Sequence, residues 1–264
     1  MMGQNQLQRG LGFFLFVMFL SSDESTKGAV VWTGTAVADT FVTTGPANDL
    51  ADNNYGGAGA LMISPSGAAK GEFQSFVRFD LSSAVSQFNS TYGVGQWSIT
   101  SVQLSLGTNF GTAGAQPNNP IFNTIAVGNF TVDWMANDSW SEGTGNPSVP
   151  TTDGLTYNTL SSYLSVNDAS QGTFNWTAPG NVVTAWTLSP TAGLLNDIAT
   201  GTGVSFRFFA ADSSVNYLFN SRSFGTAANR PSLIVTAVPE PATIYLLGCA
   251  VLMLYGLRRF RCAV

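Results

Sequence analysis

Ser101-Val102-Gln103-Leu104-Ser105-Leu106 alternates polar and apolar side chains residue by residue. That period of two turns one face of a strand toward a core and the other toward water. The same alternation recurs on either side. Phe73, Val77 and Phe79 share a parity opposite Gln74, Arg78 and Asp80, Val204, Phe206 and Phe208 repeat it, and Leu233 and Val235 close the series. Asn53-Asn54-Tyr55-Gly56-Gly57, Gln116-Pro117-Asn118-Asn119-Pro120 and Glu142-Gly143-Thr144-Gly145-Asn146-Pro147 interrupt it with residues that favour turns. Only Leu194 to Ala199 reads as a short helix. Strands without long intervening helices predict an all-β fold, an antiparallel two-sheet β-sandwich of jelly-roll type.

This strand-rich region, residues 28–237, is long enough for one large domain with its own core. Residues 1–27 read as a signal peptide and linker. Arg9 precedes an apolar stretch from Leu11 to Leu20 with the charge and length of a signal-peptide core. Ala36-Val37-Ala38 and the bonds just after Ser22 are alternative cleavage points. Residues 238–264 read as a sorting tail, in which Thr243 to Leu257 would form a helix of about 22 Å, short of the roughly 30 Å hydrocarbon core of a bilayer. Arg258, Arg259 and Arg261 follow as a cytoplasmic stop, which places the domain on the outer face. Val238-Pro239-Glu240-Pro241 removes two backbone donors and is expected to be extended, accessible and outside any sheet.

Between residues 28 and 237 there are five basic side chains against 12 acidic ones, a net charge of −7. A nucleic-acid partner is disfavoured, because a phosphate backbone calls for a basic footprint. The two cysteines, Cys249 and Cys262, lie in the tail, so the domain has no disulfide framework. The chain contains no histidine, which removes the usual general base, the Ser-His-Asp triad and most zinc sites. Hydrolysis would have to rest on carboxylates, for instance two among Asp80, Asp133 and Glu142.

Proline-glutamate-proline, a short apolar span and a basic tail at the C-terminus resemble the PEP-CTERM sorting signal. The resemblance implies that Pro239, Glu240 and Pro241 are recognised by an exosortase-type membrane protease after export by the general secretory machinery. An ordinary tail anchor behind a proline-rich linker is the competing reading.

Separated pieces of the domain resemble the DNRLRE family of carbohydrate-binding-type jelly rolls. They are Asp39-Thr40-Phe41-Val42, Asn54-Tyr55-Gly56 with Leu61-Met62-Ile63, Arg78-Phe79-Asp80-Leu81 followed by the strand of Val102, Leu104 and Leu106, Trp140 to Thr144 with Tyr157-Asn158, Phe219-Asn220-Ser221-Arg222, and Asn229-Arg230-Pro231-Ser232-Leu233. The pattern departs after Arg222, where an acidic residue often follows in the family, and the segments around 111–120 and 145–173 are long. The resemblance implies a noncatalytic module that binds polysaccharide.

Arg78 and Asp80 share a strand face and are expected to pair with each other or with the neighbouring strand. Arg222 and Arg230 are expected to order the last loop through carbonyls or carboxylates. Trp140 has two readings: a core cap, or a platform that stacks on a sugar ring while Glu142 and Asn137 bond its hydroxyls. Trp134, Trp176 and Trp186 sit in or beside strands. Asp39, Asp52 and Asn53, near Asp49, offer hard oxygen ligands for a structural calcium, as do Asp133, Asn137 and Asp138, and solvated turn residues are the alternative. Asn89, Asn129, Asn137 and Asn175 open Asn-x-Ser/Thr triplets, which in a bacterial surface protein say little.

The sequence therefore predicts an exported protein of the cell envelope, surface or extracellular matrix, with membrane contact through its tail before processing and a polysaccharide or matrix partner. A structural adhesin without a glycan site is the alternative, and a carboxylate-dependent polysaccharide-cleaving enzyme is a third reading.

Overall fold

The computed structural model describes residues 27–108, 126–177 and 182–240, and the segments expected to be the signal peptide, the membrane span and the basic stop, with Pro241, lie outside them. The fold is all-β and sandwich-like, with antiparallel pairing throughout. One sheet has four strands in the order β1 (Val30–Thr35), β11 (Ser232–Pro239), β5 (Trp97–Gly107) and β8 (Val183–Thr187). The other has five, in the order β2 (Ala38–Thr43), β4 (Phe73–Asp80), β9 (Gly203–Ala210), β6 (Gly128–Met135) and β7 (Ala169–Trp176). Among the described residues a further two-stranded ribbon pairs β3 (Ala60–Ile63) with β10 (Tyr217–Asn220).

The alternation sets the layers. Val102, Leu104 and Leu106 of β5 and Leu233, Val235 and Ala237 of β11 share one core with Val77 and Phe79 of β4, Phe130 and Val132 of β6, and Val204, Phe206 and Phe208 of β9. Trp176 and Trp186 join this core and meet at 5.4 Å between ring centroids. Aromatic side chains bury large apolar areas, so a core of this kind can hold a domain without disulfides.

Two helices pack onto the same core. α2 (Ala192–Thr200) matches the predicted helix, burying Leu194 and Ile198 one turn apart and ending at Gly201 in the left-handed conformation, φ 71°. α1 (Ser82–Tyr92) was not expected. Its signals are the Ala84 and Phe88 pair at a spacing of four, both buried, and Asp80, whose Oδ1 accepts the Ser82 N–H at 2.8 Å. Serine, threonine and asparagine in the same segment read as turn residues and hide this periodicity.

The predicted half-burial of Phe73–Asp80 is also corrected. β4 is buried on both faces up to Val77, because the chain between β6 and β7 folds back over the outer face of the five-stranded sheet. There Phe76 packs with Ala38, Val42, Met135, Trp140, Leu155 and Leu160 in a second core. A third cluster joins Phe41, Tyr55, Met62 and Phe73, with Phe41 and Tyr55 stacked at 4.6 Å.

The start of the proline-glutamate-proline motif belongs to the sheet rather than lying free of it. Val238 and Pro239 continue β11 opposite Ser98 and Trp97, and the Glu240 N–H donates to the Gln96 carbonyl at 3.0 Å. The β1 ladder ends at Ala237, so Pro239 has a partner strand on one side only, a position where a sheet tolerates proline. Among the described residues no helix is long and apolar enough to cross a membrane.

Candidate functional site

Asp39, Asn54, Glu142 and Arg222, far apart in sequence, meet at one corner of the five-stranded sheet. Asp39 lies on the edge strand β2, and its N–H donates to Glu142 Oε1 at 3.3 Å. Its own carboxylate accepts the backbone N–H of Arg222. The Arg222 guanidinium closes the triangle, with Nε donating to Glu142 Oε1 at 2.7 Å and Nη2 to Glu142 Oε2. This bidentate arrangement fixes both planes as well as the charges.

Burial dominates the electrostatics of Asp39, which is 1% exposed. Desolvation pushes its carboxyl up to about 7, the Arg222 N–H pulls it down, the Glu142 charge raises it further and the Arg222 charge lowers it. The corner thus holds a carboxyl that gains a proton far more readily than an ordinary aspartate.

Asn54 organises the adjoining loop. Its Nδ2 donates to the carbonyls of Glu142 (2.7 Å) and Leu155 (2.9 Å), while Oδ1 accepts the N–H groups of Gly56 (3.0 Å) and Gly145 (3.2 Å). Both side-chain donors and the carbonyl oxygen of this fully buried amide are therefore engaged. The space around it requires glycine. A Cβ on Gly143, whose φ is 75°, would lie 2.2 Å from Asn54 Oδ1, and one on Gly154 would lie 2.5 Å from Asn54 Nδ2.

Arg78 and Trp140 form a second unit beside it. Arg78 Nη1 donates to the carbonyls of Asp138 and Trp140, the latter at 2.8 Å, and its guanidinium lies 5.0 Å from the Trp140 ring centroid. Asp80 does not pair with it and instead binds the first turn of α1. Of the two readings of Trp140, burial rules out the platform: the residue is 1% exposed, its ring packs edge-on to Phe76 at 6.2 Å, and its Nε1–H donates to Ser205 Oγ at 2.9 Å. Glu142 is engaged by Arg222, and Asn137 Oδ1 accepts from the N–H and Oγ–H of Ser139, so neither forms a sugar-binding set with Trp140. Trp140 caps the second core, the alternative that its sequence context also carried.

Arg230 follows expectation, its Nε donating to the Phe224 carbonyl at 2.7 Å. The proposed calcium ligands do not share a site through their contacts. Asp39 serves Arg222, Asp52 accepts from Asn158 Nδ2 at 2.7 Å, and Asn53 donates to the Tyr55 hydroxyl at 3.5 Å. Among the described residues no three His, Cys, Asp or Glu side chains gather into a group able to hold a metal ion. Of the carboxylates considered for hydrolysis, Asp80 lies at a helix start, Glu142 is bound by Arg222, and Asp133 faces outward on β6. Asn54, the centre of the corner, was visible in sequence as a turn residue and as part of a DNRLRE-like piece, with no site role attached to it.

No family profile matches the chain, and no curated protein matches it either.

Proposed function

We propose that this chain is a noncatalytic exported protein of the cell surface or extracellular matrix, with a jelly-roll-type β-sandwich that binds polysaccharide. A PEP-CTERM signal read by an exosortase-type protease delivers it. The observation that carries the reading is the convergence of Asp39, Asn54, Glu142 and Arg222, all within the DNRLRE-like segments, into one hydrogen-bonded corner. These polar residues spend their bonding capacity on one another and on backbone, as scaffold residues do, and two of the carboxylates available to a hydrolase are engaged in the same way. The arginine-bearing motifs then serve to hold loops, and binding falls to exposed sheet surface.

Binding of the protein to a panel of polysaccharides, including the matrix of the producing cell, tests this with and without calcium. Saturable binding without release of shortened chains is expected. Binding to none of the panel by folded protein favours the structural adhesin, and release of oligosaccharides overturns the noncatalytic reading.

A further inference from the structure

The outer face of the five-stranded sheet carries a row that crosses every strand: Thr40, Phe76, Arg207, Asp133 and Ser170. Phe76 is buried beneath the β6 to β7 segment and Thr40 is also buried, whereas Arg207, Asp133 and Ser170 are at least partly open to solvent. Arg207 and Asp133 are register partners on β9 and β6, yet they form no ion pair. The guanidinium is held elsewhere. It lies over the Phe209 ring at 4.3 Å, and its Nε donates to Gln74 Oε1 at 2.7 Å. Gln74 is fixed in turn through Nε2 to Glu72 Oε1, and Glu72 Oε2 accepts the Tyr157 hydroxyl at 2.9 Å. The terminal amino groups of Arg207 donate to no described residue.

A half-buried guanidinium oriented by a ring and an amide, with unused donors beside a carboxylate, is a donor and acceptor pair suited to a ligand that is both. A hydroxyl donates and accepts at once, and two neighbouring hydroxyls on a sugar ring can address both groups. We propose that Arg207 and Asp133 form a binding site for neutral polysaccharide, Arg207 donating to one ring hydroxyl and Asp133 accepting from its neighbour. The choice of a neutral polymer follows from charge. Glu72, Asp133 and Asp168 all act on the one guanidinium, so the surroundings of the site are net negative and repel a polyuronate. Phe209 keeps the guanidinium plane in place, and Thr131 and Thr173, whose hydroxyls lie 3.0 Å apart in the next row, extend the hydroxyl-bonding surface.

The site rests on the polysaccharide-binding reading, and affinity electrophoresis of the full chain in mild detergent separates the two. Native gels contain laminarin, xylan or dextran as neutral polymers, or alginate as the acidic one. Retardation by at least one neutral polymer is expected, weakened tenfold or more by Arg207→Gln and by the nearly isosteric Asp133→Asn, and unchanged by Thr33→Ala on the other sheet. Near-UV circular dichroism checks the fold of each variant, with Asp133→Asn deciding if Arg207→Gln unfolds. Neutral-polymer retardation that survives Asp133→Asn and any folded Arg207→Gln overturns the site while leaving polysaccharide binding in place. Retardation by alginate alone overturns the neutral choice, and no retardation in any gel overturns both readings.

Discussion

The Asp39 carboxylate accepts the backbone N–H of Arg222, 183 positions along the chain, so the edge strand β2 and the turn after β10 are locked together at one buried proton-binding group. A raised carboxyl in that position makes the corner sensitive to pH.

Stability is expected to fall as pH rises from about 4 to about 7. The folded carboxyl titrates near 7 and the unfolded one near 3.8, so within that window the folded state binds the extra proton and each step upward in pH favours unfolding. The contribution is fully present below the unfolded value and is lost as pH passes 7. Its size is about 4 kcal/mol at most, because the two titration points lie about three pH units apart and each is worth roughly 1.4 kcal/mol. Asp39→Asn keeps an acceptor for the Arg222 N–H and cannot ionise. Urea midpoints measured from pH 4.5 to 8 should therefore flatten in this variant and exceed the wild type at pH 8.

Asn54→Asp should destabilise the domain by about 3 kcal/mol or more. It replaces two N–H donors by a carboxylate facing the carbonyls of Glu142 and Leu155, and an unmade buried hydrogen bond costs more than a made one contributes. Gly143→Ala should weaken the same loop, through its φ of 75° and its contact with Asn54. Equilibrium urea denaturation reads both, and a loss under about 1 kcal/mol in Asn54→Asp would show that the amide is not the organiser assigned here.

Trp140→Ala should lower stability by about 3–5 kcal/mol, the range for removing a large aromatic from a packed core. Trp140→Phe keeps a ring against Phe76 but loses the Ser205 bond and part of the buried ring volume, at about 1–3 kcal/mol. If Trp140→Ala folded with unchanged stability and lost only glycan binding, the burial assignment would be wrong.

Glu142→Gln and Arg222→Met should couple by about 1 kcal/mol in a double-mutant cycle at low salt, since the pair is bidentate but the arginine side chain is 40% exposed. Chemical denaturation at low salt and at about 0.5 M salt gives the cycle, with the coupling expected to shrink as salt screens the pair.

Much of the fold was legible from alternation alone, because a period of two has one structural meaning when the flanking residues make turns. Val102, Leu104, Leu106, Val204, Phe206, Phe208, Leu233 and Val235 all enter the core their spacing predicts. The loop-ordering roles of Arg222 and Arg230 were legible too, since a lone arginine among turn residues finds carboxylates or carbonyls to bond. Trp140 was ambiguous: tryptophan beside a glycine-rich loop fits a sugar platform and a core cap equally well, and only the position of Ser205 and Phe76 around it separates them. Arg207 carried no signal, appearing as the polar member of an ordinary alternating strand.

The sequence by itself determined that the domain is built of half-apolar strands without disulfides or histidine chemistry, because those properties depend on residue type and short spacing. Tertiary structure alone decided that the segment after β6 covers the outer face of β4, that Asp39 is sealed from water and that Arg207 stands beside Asp133 without pairing to it. Burial and electrostatics depend on which segments come together across long stretches of chain, and no local pattern encodes that distance.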